Sequence, residues 1–284
     1  MKEITLKSYG KINLGLDVLY KREDGYHEIN TIMQQIDLCD TLIIKENKEG
    51  LVLKSNSKDL PLDSTNLIYI AWKKIQEKTG INKGIEVILD KKIPIAAGLA
   101  GGSSNAAAIL KGLNELWDLG FDEKDLREIG VEIGADVPFC IMGGTALAKG
   151  IGEELTRLKP FKDKDLLLVN PGIQISTAEV YKSLNLKEKR RVNMEEIIQS
   201  IEKDDLNSLT KSIVNVMEEV VIRKNPIISE IKEDLIEYGA LGSLMSGSGP
   251  TVFGLFDDKE KLNFCKEKLK NKYTKGSIFS GKTI

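Results

Sequence analysis

The sequence predicts an α+β protein, and three observations carry that reading. Strand-like runs rich in Ile, Leu, Val and Thr crowd the first fifty residues. Segments with helical spacing of apolar residues appear among and after them. The two kinds of element do not alternate as regular βαβ units, which would have argued a parallel sheet.

Residues 3–8, 11–20, 27–37 and 41–46 read as strands. DGYH at 24–27 supplies a glycine-centred turn between two of them. DSTN at 63–66 is a helix start, continued by the amphipathic run NLIYIAWKKIQEK. GIEVILD at 84–90 reads as a strand, and PIAAGLAGGSSNAAA at 94–108 follows it. Beyond the glycines Ala106, Ile109, Leu110, Leu113, Leu116 and Trp117 recur at helical spacing, which predicts a helix with one apolar face. Ser103 and Ser104 are good N-cap residues for it. A short helix near 123–131 and a strand pair near 144–149 and 152–157 come next.

KPFKDKD at 159–165 is charged and contains a proline, and it sets the expected boundary between domains 1–160 and 161–284. The second part reads as a strand at 166–170, a helix near 176–184 and three helices between 193 and 239. LGSLMSGSGPTVFGLF then reads as strand, glycine turn, strand. A helix at 258–271 and a last strand complete the pattern. No internal repeat and no low-complexity segment is visible.

With 284 residues, 41% hydrophobic and 30% charged, the chain reads as a soluble globular protein. A formal net charge of −2 gives no sign of a nucleic-acid-binding surface. No apolar run approaches membrane-spanning length. MKEITLKSYG is too polar for a signal peptide, so a cytoplasmic protein is expected. Cys39, Cys140 and Cys265 are far apart and never form CxxC, so they predict buried thiols rather than a disulfide framework or a zinc site. The single histidine, His27, excludes a multi-histidine metal site. KEKRR near residue 190 reads as solvated surface.

The glycine loop carries the first chemical signal. Gly98, Gly101 and Gly102 permit a tight turn immediately before a helix. A helix start has unpaired N–H groups and a partial positive charge, and glycines let a phosphate approach them. A ligand-free strand-to-helix connection is the plainer alternative. Three glycines, two serines and a helix start in this order favour phosphate. The loop is neither GxxxxGK[ST] nor GxGxxG, so it is a phosphate loop of another kind.

SGSGPT at 246–251 is either a hairpin turn or a second backbone that packs against the phosphate loop. In GADVPF at 134–139, Gly134 and Pro138 fix a bend around Asp136, which is either a solvated turn aspartate or, given its apolar neighbours, a partly buried carboxylate that wants a cation. Lys11 is the candidate cation: SYGKINLGLD sets Lys11, Asn13 and Gly15 on one strand face and Ile12, Leu14 and Leu16 on the other. An ordinary exposed sheet face is the competing reading. Tyr26 and His27 either cover the sheet or hold a flat heterocycle by stacking and edge contacts.

Taken together, KINLGLDV, PIAAGLAGGSSNAAA and LMSGSGPTVFG resemble the three motifs of the galactokinase, homoserine kinase, mevalonate kinase and phosphomevalonate kinase superfamily. DGYHEI, SSNAAA and GADVPF look like the branch that acts on a cytidine diphosphate conjugate of methylerythritol. The resemblance spans about residues 5–255 and is weak over 185–240. It implies two α+β domains, the first like the second domain of ribosomal protein S5 and the second ferredoxin-like, with the active site in a cleft between them. It implies ATP-dependent phosphorylation of the 2-hydroxyl of that conjugate, a step of non-mevalonate isoprenoid synthesis, with Mg²⁺ as the metal.

The resemblance also implies roles for particular residues. Lys11 and Asp136 match its catalytic pair. Pro94, Ile95, Ala96, Ala97, Gly98 and Leu99 match the first part of its ATP-phosphate loop. Ala100, Gly101, Gly102, Ser103 and Ser104 match the rest, with alanine at 96, 97 and 100 where relatives often have glycine. Asn66, Leu67 and Lys91 match positions near adenine. Asn13 would face the methylerythritol, Tyr26 and His27 the cytosine, and Thr177 the substrate. Tyr181 would supply the other stacking face, where the family often has phenylalanine. Asp136 would take the proton of the attacking hydroxyl and Lys11 would stabilise the developing alkoxide. A homoserine or mevalonate kinase, or a non-catalytic nucleotide sensor on the same fold, are the alternatives. The first lacks a use for a base-stacking pair, the second a use for Lys11 and Asp136. A monomer or homodimer with a small-molecule substrate, and neither nucleic acid nor membrane as partner, completes the expectation.

Overall fold

The computed structural model describes residues 2–186 and 191–284, so most of KEKRR lies outside the described residues. The chain divides into two compact units. One contains Met1–Gly10, Leu38–Ile95 and Ala100–Gly143; the other contains Lys11–Asp37, Ala96–Leu99 and Gly144–Ile284. These units interleave along the sequence and do not follow a single cut near residue 160.

Two long strands thread both units, β1 (Glu3–Lys21) and β2 (His27–Asn47). Each was expected as two shorter strands. In the first unit β2 pairs antiparallel with β4 (Gly84–Asp90), with Thr41 opposite Asp90, and β4 pairs in parallel with β3 (Leu51–Ser55). Leu42, Ile44, Leu53, Ile85, Val87 and Leu89 alternate along these strands and are all buried, the period of two that puts one sheet face inward. Four helices contribute to the same core: α1 (Leu67–Thr79), α2 (Gly101–Leu116), α3 (Glu123–Val131) and α4 (Val137–Met142). The DSTN start holds: Asn66 caps α1, its side chain accepting from the Ile68 N–H at 2.9 Å, and Gly80 ends the helix at φ +73°. The bend expected at GADVPF is instead the start of α4, with Pro138 in its first turn, where proline is tolerated.

In the second unit β8 (Val214–Asn215) pairs in parallel with β1, and β2 pairs with β5 (Thr145–Lys149), which pairs with β6 (Glu154–Arg157). A separate antiparallel sheet has the order β11-β7-β10-β9, built from β7 (Asp165–Asn170), β9 (Gly242–Met245), β10 (Val252–Phe256) and β11 (Ser277–Lys282). LLLV in β7 and all of β10 are buried, as expected of unbroken apolar runs. Helices α5 (Thr177–Ser183), α6 (Met194–Glu202), α7 (Leu206–Ser212), α8 (Glu218–Lys224), α9 (Ile227–Glu237) and α10 (Lys259–Lys272) complete this unit. Four helices, not three, fill 193–239. Cys140 and Cys265 are buried thiols in no disulfide, whereas Cys39 is half-buried. Among the described residues no helix is long and apolar enough to cross a membrane.

Candidate active site

The glycine loop joins β4 to α2, and its backbone is unusual at three places. Ala96, Gly98 and Ala100 have φ of +52°, +75° and +55°. Glycine reaches that region freely, but each alanine there costs about 1–2 kcal/mol. Such strain persists only where the surroundings over-determine it, as at ligand-holding loops. The serines are not the N-cap: Ala100 occupies that position, and Ser103 and Ser104 lie inside α2. Ser104 instead turns to β1, its hydroxyl donating to the Tyr9 carbonyl at 2.6 Å and accepting from Ser8 Oγ at 2.7 Å.

In the second unit the loop meets the SGSGPT turn. Ser246 Oγ donates to the Gly98 carbonyl at 2.9 Å. A Cβ on Gly98 would stand 2.2 Å from the Ser246 carbonyl oxygen, so the two backbones touch where no side chain fits. SGSGPT is thus both a hairpin connection between β9 and β10 and a surface packed on the loop. Asn215 holds the turn, its Nδ2 donating to Met245 O at 2.8 Å and Gly247 O at 2.7 Å.

The polar face of β1 adjoins that turn. Lys11 is only 4% exposed, and Asn13 is buried beside it, so this is no exposed sheet face. Lys11 Nζ donates to Asn13 Oδ1 at 2.7 Å, Asn13 Nδ2 to Thr31 Oγ1 at 2.9 Å, and Thr31 Oγ1 to the Gly15 carbonyl at 2.6 Å. A Cβ on Gly247 would lie 3.5 Å from both Lys11 Nζ and Asn13 Oδ1. The Lys11 N–H donates to Leu99 O at 3.1 Å. Lys11, Asn13, the 97–99 segment of the loop and the glycine turn therefore form one cluster within this unit.

His27 and Tyr181 come together as well, their rings stacked with centroids 4.7 Å apart. Burial, helped by the Lys21 charge, lowers the His27 pKa below its ordinary 6.5. Tyr26 is 59% exposed and its N–H donates to Asp24 Oδ1. Thr177 shares a 2.7 Å hydroxyl–hydroxyl hydrogen bond with Ser248 of the turn.

The first unit holds the remaining predicted residues. Asp136 stands at the N-cap of α4, half-buried, and its carbonyl accepts from the Cys140 N–H at 3.1 Å. Leu67 Cδ1 lies 3.4 Å from where a Cβ on Gly102 would sit. Lys91 is buried, its ammonium donating to Asp40 Oδ2 at 2.8 Å and to the Ile93 carbonyl. Burial lowers the Lys91 pKa, and Asp40 opposes that shift. Asp40 and Asn215 are not legible from the sequence: Asp40 falls between two expected strands and Asn215 in a stretch expected to be helical, and the partners of each are distant in the chain.

The GHMP kinases N terminal domain model matches residues 66–144, and the GHMP kinases C terminal model matches 193–275. These matches make the chain a GHMP kinase, a two-domain α+β enzyme that uses ATP. It is 51% identical over 272 residues to the 4-diphosphocytidyl-2-C-methyl-D-erythritol kinase of Alkaliphilus oremlandii, covering 95% of this chain and 93% of the relative. It is 50% identical over 276 residues to the kinase of the same name from Clostridioides difficile, covering 96% and 93%. The chain belongs to the 4-diphosphocytidyl-2-C-methyl-D-erythritol kinase family. A crystal structure of a 4-(cytidine 5'-diphospho)-2C-methyl-D-erythritol kinase superposes with a TM-score of 0.84 at 30% identity, covering 99% of each chain. A homoserine kinase from Cytophaga hutchinsonii, at 21% identity, TM-score 0.80 and coverage of 99% and 95%, shares the fold.

Proposed function

We propose that the protein transfers the γ-phosphoryl group of ATP to the 2-hydroxyl of 4-diphosphocytidyl-2-C-methyl-D-erythritol, in non-mevalonate isoprenoid precursor synthesis. Near-full-length identity to relatives of that name is the single observation that carries this reading. The site chemistry supports it. Backbone N–H groups of Pro94–Ser104 and the start of α2 bind the ATP phosphates, with Asn66 and Leu67 beside the adenine. His27, Tyr26 and Tyr181 recognise the cytosine; homoserine and mevalonate offer no ring to stack. Asn13 and Thr177 contact the rest of the substrate.

Phosphoryl transfer passes through a loose transition state, so the protein's main contribution is positioning and charge stabilisation. Asp136 accepts the hydroxyl proton and Lys11 stabilises the alkoxide that develops. Mg²⁺ fits as a metal held mainly by phosphates and water. Among the described residues no group of three His, Cys, Asp or Glu side chains stands ready as a dedicated cage. The cytoplasm is the compartment that supplies ATP, and the enzyme works there as a monomer or homodimer.

The test is ADP release with ATP, Mg²⁺ and the cytidine conjugate, beside homoserine and mevalonate. Turnover with the conjugate alone supports the proposal. Turnover with a control instead overturns the substrate, and ATP binding without any turnover favours a nucleotide sensor.

A further inference from the structure

We propose that Asp40 is a positioning residue that sets the span of the phosphate loop by gripping both of its stems. The inference rests on the reading that Pro94–Ser104 binds ATP phosphates. Asp40 lies in β2 and is fully buried. Its Oδ1 accepts the backbone N–H groups of Lys92 at 2.7 Å and Ile93 at 2.8 Å, the two residues just before the loop. Its Oδ2 accepts Asn105 Nδ2 at 2.9 Å, from the residue just after the loop. The fourth donor is Lys91 Nζ at 2.8 Å.

All these groups lie in one compact unit. One carboxylate thus ties the chain entering the loop to the helix leaving it. Asn105 and Ser104 extend the clamp to β1: Asn105 Nδ2 also donates to Ser8 Oγ at 2.9 Å, and Ser8 Oγ donates to Ser104 Oγ at 2.7 Å. Lys91 closes the other side. Its ammonium lies 3.0 Å from where a Cβ on Gly101 would sit, against the first turn of α2.

Stability alone is a poor account of this arrangement. A buried ion pair is often no more stabilising than apolar residues of the same volume. Its directional bonds, however, fix geometry, and here every one of them ends on a residue within three positions of the loop or on the loop helix. Asp40 does not touch the nucleotide in this reading; it acts through the backbone that does.

The experiment uses the full chain with Asp40→Asn and Lys91→Met. Asp40→Asn keeps the volume but turns an amide N–H₂ toward groups that are already donors. Lys91→Met removes the ammonium and leaves the carboxylate three N–H partners, so it keeps the question answerable should Asp40→Asn fail to fold. ATP·Mg²⁺ affinity is measured by titration calorimetry, beside KM for ATP and for the cytidine conjugate, well below each melting temperature. Displaced loop N–H groups weaken charge-assisted hydrogen bonds to the phosphates, so ATP affinity should fall by roughly ten- to a hundredfold. KM for the cytidine conjugate should stay within about twofold. A lower melting temperature with unchanged ATP affinity overturns the proposal, as does an equal rise in both KM values. Failure of the substrate reading is separate: wild-type protein that binds ATP but leaves the conjugate untouched overturns that reading, while the ATP titrations of the variants still decide on Asp40. Absence of ATP binding in the wild type overturns both.

Discussion

Gly98→Ala puts the contact between the phosphate loop and the glycine turn to a quantitative test. Gly98 has φ +75°, so alanine there incurs about 1–2 kcal/mol of left-handed backbone strain. The new Cβ would also stand 2.2 Å from the Ser246 carbonyl oxygen and 3.0 Å from that of Gly249. Restoring an ordinary carbon–oxygen contact needs roughly 1 Å of separation between the two backbones. That movement breaks the 2.9 Å bond from Ser246 Oγ to the Gly98 carbonyl, a further loss of about 1 kcal/mol. The sum is about 2–3 kcal/mol, which lowers Tm by roughly 3–5 °C for a chain of this size. A displacement of about 1 Å in a positioning loop lowers kcat/KM by ~100-fold. Gly80→Ala is the control, because Gly80 has φ +73° and a Cβ added there would meet nothing within 4 Å. It incurs the backbone strain alone. Thermal melts and steady-state kinetics on both variants separate the two effects. If Gly98→Ala matches Gly80→Ala in Tm and keeps wild-type kcat/KM, the contact does not position the loop.

Asp136→Ala should lower kcat by about 100- to 10,000-fold with ATP binding retained; near-normal turnover at saturating substrate removes Asp136 as the base. Gly101→Val should weaken ATP binding by roughly tenfold, about 1.4 kcal/mol, because its Cβ would lie 3.0 Å from both Lys91 Nζ and Ile93 Cγ2. Unchanged affinity would count against close phosphate approach at this turn. Asn215→Ala should cost about 1–3 kcal/mol in denaturant melts, since it strips the turn carbonyls of Met245 and Gly247 of their donor. For His27, burial and the Lys21 charge lower the folded pKa below 6.5. The unfolded chain therefore takes up the proton first as pH falls through 6.5, so stability declines from there down to the folded value. His27→Gln should flatten that part of the stability–pH curve, and an unchanged slope would show that another group produces it.

The sequence made the long apolar runs legible, because burial imposes their period. Leu42 and Ile44, or Ile109 and Leu113, announce a sheet face and a helix face without any knowledge of their neighbours. Local rules failed where a distant partner decided. Ser103 and Ser104 look like caps, yet Ser104 is drawn away by Ser8 and Tyr9, about 95 residues back in the chain. The helix α4 was hidden by its six-residue length and by Pro138, which reads as a breaker until it is seen in the first turn. Residues 3–20 looked like two strands parted at Tyr9 and Gly10, but Gly10 is buried within one continuous β1. Of the candidate site, the glycine loop, Lys11 and Asn13 are visible in residue type and alternation. Asp40 could not, because Lys91 and Asn105, which explain it, lie 51 and 65 positions away.

The series from Lys11 through Asn13 and Thr31 to the Gly15 carbonyl has a fixed polarity. Every member hands its hydrogen the same way, and the last acceptor has none to pass on. Asn13 presents its amide oxygen to the ammonium and holds no titratable proton, so it interrupts any relay into the sheet. The series is insulation rather than wire. It orients the ammonium against Asn13 and passes no proton through that amide into the sheet.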